Sequence, residues 1–382
     1  MLAPLRDGRS AIGPLTNVPT DKLAVTIGAQ VPGFNAEAHF ESRKLAMLDR
    51  CAQFALVAAR EALAATGLDL RGELGSRTAA IVGSGVGGMS TLDDSFRRLY
   101  AEGAKRSHPL TIPRLMMSAA PSHIAMEHGI RGPVFSVASA CASANHAMGL
   151  AFQMVRAGTV EVALAGGTEA ALTQGALMAW DAMRIMAPDT CRPFSLERKG
   201  LVLGEGAAMV VLEDMARAEA RGAAILGEIV GFGMSSDASD IVLPSLEGAA
   251  SAMRACLADA GLAPEEVDYI NAHGTGTTVN DVTETKAIRE VFGRHAERLA
   301  VSSTKSLHGH GLGAAGAIEM AATLIAMRHG FIPPTANFTA PDPQCDLDYV
   351  PNQAREAQIE VALSNSFAFG GLNAVLAIRR GK

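Results

Sequence analysis

Four short segments of this chain carry side chains suited to carbonyl chemistry. They hold Cys141; His273; Lys305 with His308 and His310; and Phe369 ahead of Gly370 and Gly371. A cysteine with two histidines is a set for acyl transfer. The thiolate attacks a carbonyl carbon, and imidazole N–H groups or backbone amides hold the developing oxyanion. The competing use of His308 and His310 is half a metal site. No carboxylate or further ligand lies at useful spacing, so no metal is expected. The cysteine has the most informative surroundings. An apolar run, Val134 to Val137, stops in small residues, and Cys141 follows. Ala142, Ala147, Leu150, Ala151, Met154 and Val155 then recur at helical spacing. The order is strand, elbow, thiol, helix, and a helix N-terminus favours the thiolate. Taken alone, the segment also suits a buried structural cysteine.

The elements that must position these groups alternate between strand and helix. Leu23 to Ala29 reads as a short strand, and Ser42 to Gly67 as a helix stopped by its glycine. Thr78 to Val82 is a buried strand that runs into GSGVGGM (83–89). That glycine run is a poor nucleotide signal, since no helix with an acidic partner completes the fingerprint; a tight turn near the site fits it better. Thr111 to Gly129 is mostly helical. Val160 to Ala165 and GEGAAMVVLE (204–213) supply further strands. The chain then repeats itself. AREALAATGLD (59–69) has a counterpart in MRACLADAGLA (253–263), GSGVGG in HGTGT (273–277), and VFSVASACASANHAMG (134–149) in LAVSSTKSLHGHGLGAAGAIE (299–319). VEVALAGGTEA (160–170) is echoed by IEVALSNSFAFGG (359–371). Each half is therefore a layered α/β unit with a mostly parallel sheet, and active groups belong where the elbows of the halves meet. The strand ILGEIVGFG (225–233) opens the second half and has no convincing counterpart in the first.

Composition bounds the function. A net charge of −6 over 382 residues gives a nucleic-acid role no electrostatic support. Five scattered cysteines without a CxxC pair argue against a disulfide framework and for a reducing compartment. No apolar run reaches the roughly 18 residues a spanning helix needs, and MLAPLRDGRS lacks the apolar core of a signal peptide. A cytoplasmic protein without an integral membrane segment is expected.

Taken together, the segments resemble the β-ketoacyl-[acyl-carrier-protein] synthases, and most nearly the type II elongating condensing enzymes of the thiolase-fold superfamily. The motifs are GSGVGG, SVASACAS, AGGTEA, RPFS with GLVLGEGAA, NAHGTGT, STKSLHGHGLGAAGAIE and NSFAFGG. The resemblance implies a duplicated α/β/α/β/α layered fold, with residues 1–220 carrying the nucleophile and 221–382 both catalytic histidines. It implies that Cys141 takes an acyl chain from the phosphopantetheine thioester of an acyl carrier protein. Malonyl-carrier protein then loses CO₂, and His273 and His310 hold the enolate. The carbanion attacks the acyl thioester and releases a 3-oxoacyl carrier protein. Two neutral imidazoles can donate to an enolate, whereas a carboxylate there would repel it.

Other positions follow from the same resemblance. The amides of Cys141 and Phe369 match the oxyanion hole, and Lys305 matches a lysine that supports the histidine pair. Phe369 matches a gate between the acyl and malonyl sites. Thr275 and Thr277 match pantetheine contacts, Val86 a wall of the acyl pocket, and Trp180 an aromatic at its mouth. Glu319, grouped with the substrate-binding positions, matches a carboxylate behind the histidines. No cofactor beyond the carrier-borne phosphopantetheine is implied, and a homodimer is.

The departures from the family pattern are specific. Ala368 stands where a glycine is usual and is expected to stiffen the gate. Leu372 stands where a threonine is usual. The basic pair that often follows SRK (42–44) is absent, which leaves Arg43, Lys44 and Arg184 for the carrier protein. Family members carry a strand and helix ahead of the point where this chain starts. The first half is thus expected to lack its first strand, which would be central in its sheet. A misassigned start is preferred over a substitute built from residues 1–30. Competing readings are a non-catalytic chain-length-factor-like partner, which usually lacks the cysteine, and a thiolase-fold acyl-binding module. A degradative thiolase would need a second cysteine where NSFAFGG stands, and a papain-like protease a different scaffold.

Overall fold

The computed structural model describes residues 1–381. Two twisted sheets organise it. The first contains β1 (Thr78–Gly83), β2 (Val134–Val137), β3 (Val162–Glu169) and β4 (Gly206–Glu213), in the spatial order β2-β1-β3-β4. β1 pairs in parallel with both β2 and β3, and β4 is antiparallel to β3. The second contains β5 (Gly227–Ser236), β6 (Tyr269–Asn271), β7 (Ala300–Ser302), β8 (Val361–Ala368) and β9 (Leu372–Arg380), in the order β5-β9-β8-β6-β7. β6 pairs in parallel with β7 and β8, while β9 is antiparallel to both β8 and β5. β1 and β3 read as continuous small and apolar runs because both of their faces are covered: every residue of each is buried.

Helices fill the layers outside and between the sheets. α1 (Arg50–Thr66) and α3 (Ala119–His128) pack on the outer face of the first sheet, with α2 (Met89–Tyr100) beside them. α6 (Leu246–Ala260) and α7 (Thr278–Phe292) cover the outer face of the second. Between the sheets lie α4 (Ser143–Arg156) and α8 (Ala315–His329), which touch each other and both sheets. Their crossing is close because Gly316 has no side chain: a Cβ there would come 2.2 Å from Asn145 Oδ1. α5 (Gln174–Ala182) carries Trp180. The result is the five-layer α/β/α/β/α arrangement expected, with α4 and α8 following the two elbows.

Several expectations need correction. The helix read over Ser42 to Gly67 is two, Ser42–Leu45 and Arg50–Thr66. Asp49 breaks it by capping the second: its carboxylate accepts from Cys51 N at 2.9 Å and from Thr91 Oγ1 at 2.6 Å. Thr111 to Gly129 is mostly helical as expected, in two pieces, Thr111–Leu115 and Ala119–His128. The strand at Leu23 to Ala29 shrinks to Ile27–Gly28, paired with Gly13–Pro14. A helix, α2, does follow GSGVGGM. The strand expected to be missing from the first half would not be a central one. Its counterpart, β5, lies at the edge of its sheet on β9, and among the described residues no strand takes that place beside β4. The centre of the first sheet is held by β1 and β3, so what lacks a partner is one row of backbone groups on an edge.

Candidate active site

The elbow at Cys141 is built by two serines. After β2 the chain enters a 3-10 turn, Ala140–Ala142, before α4 begins at Ser143. Ala140 has φ +48°, a left-handed conformation that costs a non-glycine residue about 1–3 kcal/mol and persists only when its surroundings enforce it. Ser143 does so: its hydroxyl accepts from Ser139 N at 2.9 Å and donates to Ala140 O at 2.6 Å. Cys141 is buried within this turn. The expected bias toward thiolate is opposed by burial. Burial pushes the thiol up to about 12, and the opposing pull of Lys305 offsets only part of that.

His273 and His310 both reach this thiol's neighbourhood. His310 Nε2 lies 3.1 Å from Cys141 Sγ. Leu312 N donates to His310 Nδ1 at 3.1 Å, which makes Nδ1 the acceptor and leaves the proton on Nε2, facing sulfur. His273 follows β6, and its ring meets that of His310 edge-on, with centroids 5.5 Å apart. Lys305 Nζ lies 3.5 Å from His273 Nδ1 and donates to His273 O at 2.6 Å. The same ammonium is paired with Glu319 Oε1, and neither side chain of that pair reaches solvent. Burial, and then the nearby Lys305 charge, holds both imidazoles well below 6.5. Both are neutral N–H donors at physiological pH. Cys141, His273 and His310 offer ligand atoms within 4.8 Å of one another, a span a soft cation can bridge. The Lys305 ammonium beside His273 counts against a resident cation there.

The remaining predicted residues fall into place unequally. Phe369 sits on the turn joining β8 to β9, and Gly370 N donates to Ile241 O at 2.8 Å. Trp180, on α5, stacks on Phe369 with centroids 6.0 Å apart and an interplanar angle of 25°. Val86 packs in the same apolar cluster as Trp180 and Leu312. Thr275 and Thr277 share a hydroxyl hydrogen bond of 2.9 Å. Glu319 does not belong with the substrate-binding groups: it is fully buried and its charge faces Lys305. His308 is not brought to the thiol. Its Nε2 bonds Thr304 Oγ1 at 3.0 Å, and burial lowers it to about 4. Lys44 is paired with Glu127, while Arg43 and Arg184 are exposed.

Three acidic groups and an arginine that hold the site were not singled out from sequence. Glu284 accepts from His273 N at 2.8 Å and Gly274 N at 2.7 Å. Asp281, one helical turn earlier, accepts from Phe194 N at 2.7 Å and Gly276 N at 3.2 Å. Arg198 donates to the carbonyls of Thr277 and Thr278. Glu169 is the third carboxylate. The signal available for the first two was their spacing of three residues, which puts both on one face of the helix directly after NAHGTGT.

With the layered fold and this Cys–His–His centre described, comparison with known proteins defines the class. Residues 2–218 match the β-ketoacyl synthase N-terminal domain, and residues 226–339 its C-terminal domain. The chain belongs to the β-ketoacyl synthase family, on the thiolase-like fold, and is a condensing acyltransferase of acyl-chain biosynthesis. Among curated relatives it is 52% identical over 376 residues to nodulation protein E of Rhizobium sp. (strain N33), covering 98% of this chain and 93% of that protein. It is 40% identical over 380 residues to 3-oxoacyl-[acyl-carrier-protein] synthase 2 of Staphylococcus aureus (strain N315), covering 98% and 92%. Among solved structures, the ishigamide ketosynthase/chain length factor superposes with a TM-score of 0.95 at 36% identity, covering 100% of this chain and 94% of that one. A type II PKS acyl-carrier protein in complex with its ketosynthase bound to the hexaketide gives a TM-score of 0.89 at 29% identity, covering 100% and 94%.

Proposed function

We propose that Cys141 carries the growing acyl chain and that His273 and His310 hold the enolate formed when malonyl-acyl carrier protein loses CO₂. The observation that carries this reading is the position of the neutral His310 Nε2–H, 3.1 Å from the thiol, with the second neutral imidazole beside it. Residues 1–220 then form the half that supplies the nucleophile, and 221–382 the half that supplies both histidines. Lys305 maintains the electrostatics of the pair, and Phe369 with Trp180 gates the acyl channel walled by Val86. Thr275 and Thr277 hold the pantetheine arm of an acyl carrier protein, which docks through Arg43 and Arg184 rather than Lys44. No other cofactor is called for. The protein works in the cytoplasm. Higher identity to the nodulation relatives than to the synthase 2 relatives favours a specialised acyl product.

The test is the intact mass of the chain after incubation with a panel of acyl-carrier proteins, beside Cys141→Ala. A gain of one acyl group in the wild type, absent from the variant, is expected. Soluble, folded wild type that gains nothing would instead favour the non-catalytic, chain-length-factor-like reading.

The active form in this reading is a homodimer. β2 is an edge strand whose outer side is unpaired among the described residues, and Phe135 at its middle is 36% exposed. Met116 and Met117 are exposed nearby, tied to the strand by Ser136 Oγ donating to Met117 O at 2.7 Å. An apolar edge of this kind invites pairing with a second copy. Phe135→Glu places a charge in that seam and is expected to shift the protein from dimer to monomer in analytical ultracentrifugation. A dimer of unchanged affinity would place the interface elsewhere.

A further inference from the structure

One buried carboxylate stands between the elbows of the two halves and takes no part in the chemistry above. Glu169, the last residue of β3, has no solvent exposure. Its Oε2 accepts from Gly85 N at 2.7 Å and from Gly313 N at 2.9 Å, and its Oε1 accepts from Ser84 Oγ at 3.0 Å. Ser84 Oγ in turn accepts from Gly87 N at 3.0 Å. One side chain therefore holds both ends of the turn that carries Val86 and, across the molecule, the segment that follows His310.

That second segment is the structural counterpart of the nucleophile elbow. A 3-10 turn, Leu312–Ala314, precedes α8 as Ala140–Ala142 precedes α4. Each turn opens with a left-handed residue, Leu312 at φ +46° and Ala140 at φ +48°. Gly313 thus occupies the place that Cys141 has in the first half, and its N–H is already taken by Glu169. A Cβ at Gly313 would lie 2.2 Å from Gly85 N and 2.7 Å from Glu169 Oε2, so no larger residue fits against the brace. The strained Leu312 supplies the N–H that sets the tautomer of His310.

We propose that Glu169 is a positioning residue: it braces the Val86 turn against the Leu312–Gly313 elbow and so fixes His310 with its proton on Nε2. The inference rests on the role given to His310 above. Without the brace, the Gly85 and Gly313 amides are buried donors with no acceptor, and the elbow rotates to find one. Leu312 then leaves its left-handed conformation, its N–H turns away from Nδ1, and the imidazole exchanges tautomers. Reach, rather than charge, is what the brace requires. Burial raises the carboxyl to about 7, so its neutral form is populated near neutrality, and a carbonyl oxygen can accept both amides.

Two conservative variants separate reach from charge. Glu169→Gln keeps the reach: its amide oxygen replaces Oε2, and its NH₂ can donate to Ser84 Oγ. Glu169→Asp keeps the charge but is one methylene too short to span both loops. The readouts are CO₂ release from malonyl-carrier protein and the ¹⁵N signals of the His310 ring, assigned by loss in His310→Asn. Glu169→Gln is expected to stay within about threefold of wild type, with the Nε2–H signature retained. Glu169→Asp is expected to lose on the order of 100-fold in kcat with little change in KM, and to show mixed tautomers. Wild-type rates in both variants, or a Gln variant as impaired as the Asp variant, would overturn the proposal. So would an unchanged ¹⁵N signature in the Asp variant. The tautomer comparison needs no turnover, so it decides the brace even if Cys141 proves unacylated and the active-site reading fails.

Discussion

Replacing Lys305 by methionine is expected to destabilise the fold by about 3–5 kcal/mol and to reduce condensation by at least about 100-fold. The stability loss follows from Glu319. Its carboxylate is buried, one oxygen is paired with Lys305, and Oε2 has no hydrogen-bond partner. Burial already raises its pKa, and Lys305 supplies what opposes that rise. Removing the ammonium leaves an uncompensated buried charge that must take up a proton or unfold its surroundings. The activity loss has a different origin. Lys305 lies 3.5 Å from His273 Nδ1, donates to the His273 carbonyl, and helps keep both imidazoles unprotonated. The two effects separate in the double variant Lys305→Met/Glu319→Gln, in which neither position carries a charge. Urea unfolding should recover most of the lost stability, while condensation stays low. Turnover that returned together with stability would reduce Lys305 to a structural role.

That separation bears on what could be read from residue order. The strand–elbow–helix setting of Cys141 was legible because an apolar run, a break into small residues and a helical repeat are all local patterns, but its reading as the nucleophile came only from the family resemblance. His273, Lys305 and His310 were legible because each lies in a short glycine-rich segment at a strand end. The burial that governs their chemistry was not, and it opposes the expected thiolate bias at Cys141. Nor was the sheet order. β9 inserts between β5 and β8, which moves the opening strand of the half to an edge, and sequence adjacency gives no sign of that. Side chains that stabilise backbone were the hardest to recognise. Asp281, Glu284 and Glu169 look like surface acids until the amides they accept from are in view. The pairing of Lys44 was hidden for the converse reason, since its partner Glu127 lies on a helix far along the chain.

The histidine pair makes a sharper prediction because its members stand differently toward sulfur. His273→Ala and His310→Ala should each reduce malonyl decarboxylation by about 10²–10³, the usual cost of one donor to a developing oxyanion. The double variant should fall by less than the product, since both donors serve one charge. Acylation of Cys141 distinguishes them. Only His310 presents its N–H to the thiol, at 3.1 Å. With the thiol pushed up to about 12, that donor is the nearest group stabilising the thiolate as it forms. Acyl transfer from an acyl-carrier protein should therefore slow strongly in His310→Ala and little in His273→Ala, as followed by intact mass. The pH profile follows from the same burial. The active form of each histidine is neutral, so activity would be lost as pH falls through its pKa. Because both lie well below 6.5, decarboxylation should stay level from pH 8 down to pH 6. A histidine of ordinary pKa would already have halved the rate at 6.5. A decline centred there would mean that the imidazoles titrate in the reaction rather than serve as fixed neutral donors, and equal slowing of acylation in the two single variants would mean that His273 serves the thiol as His310 does.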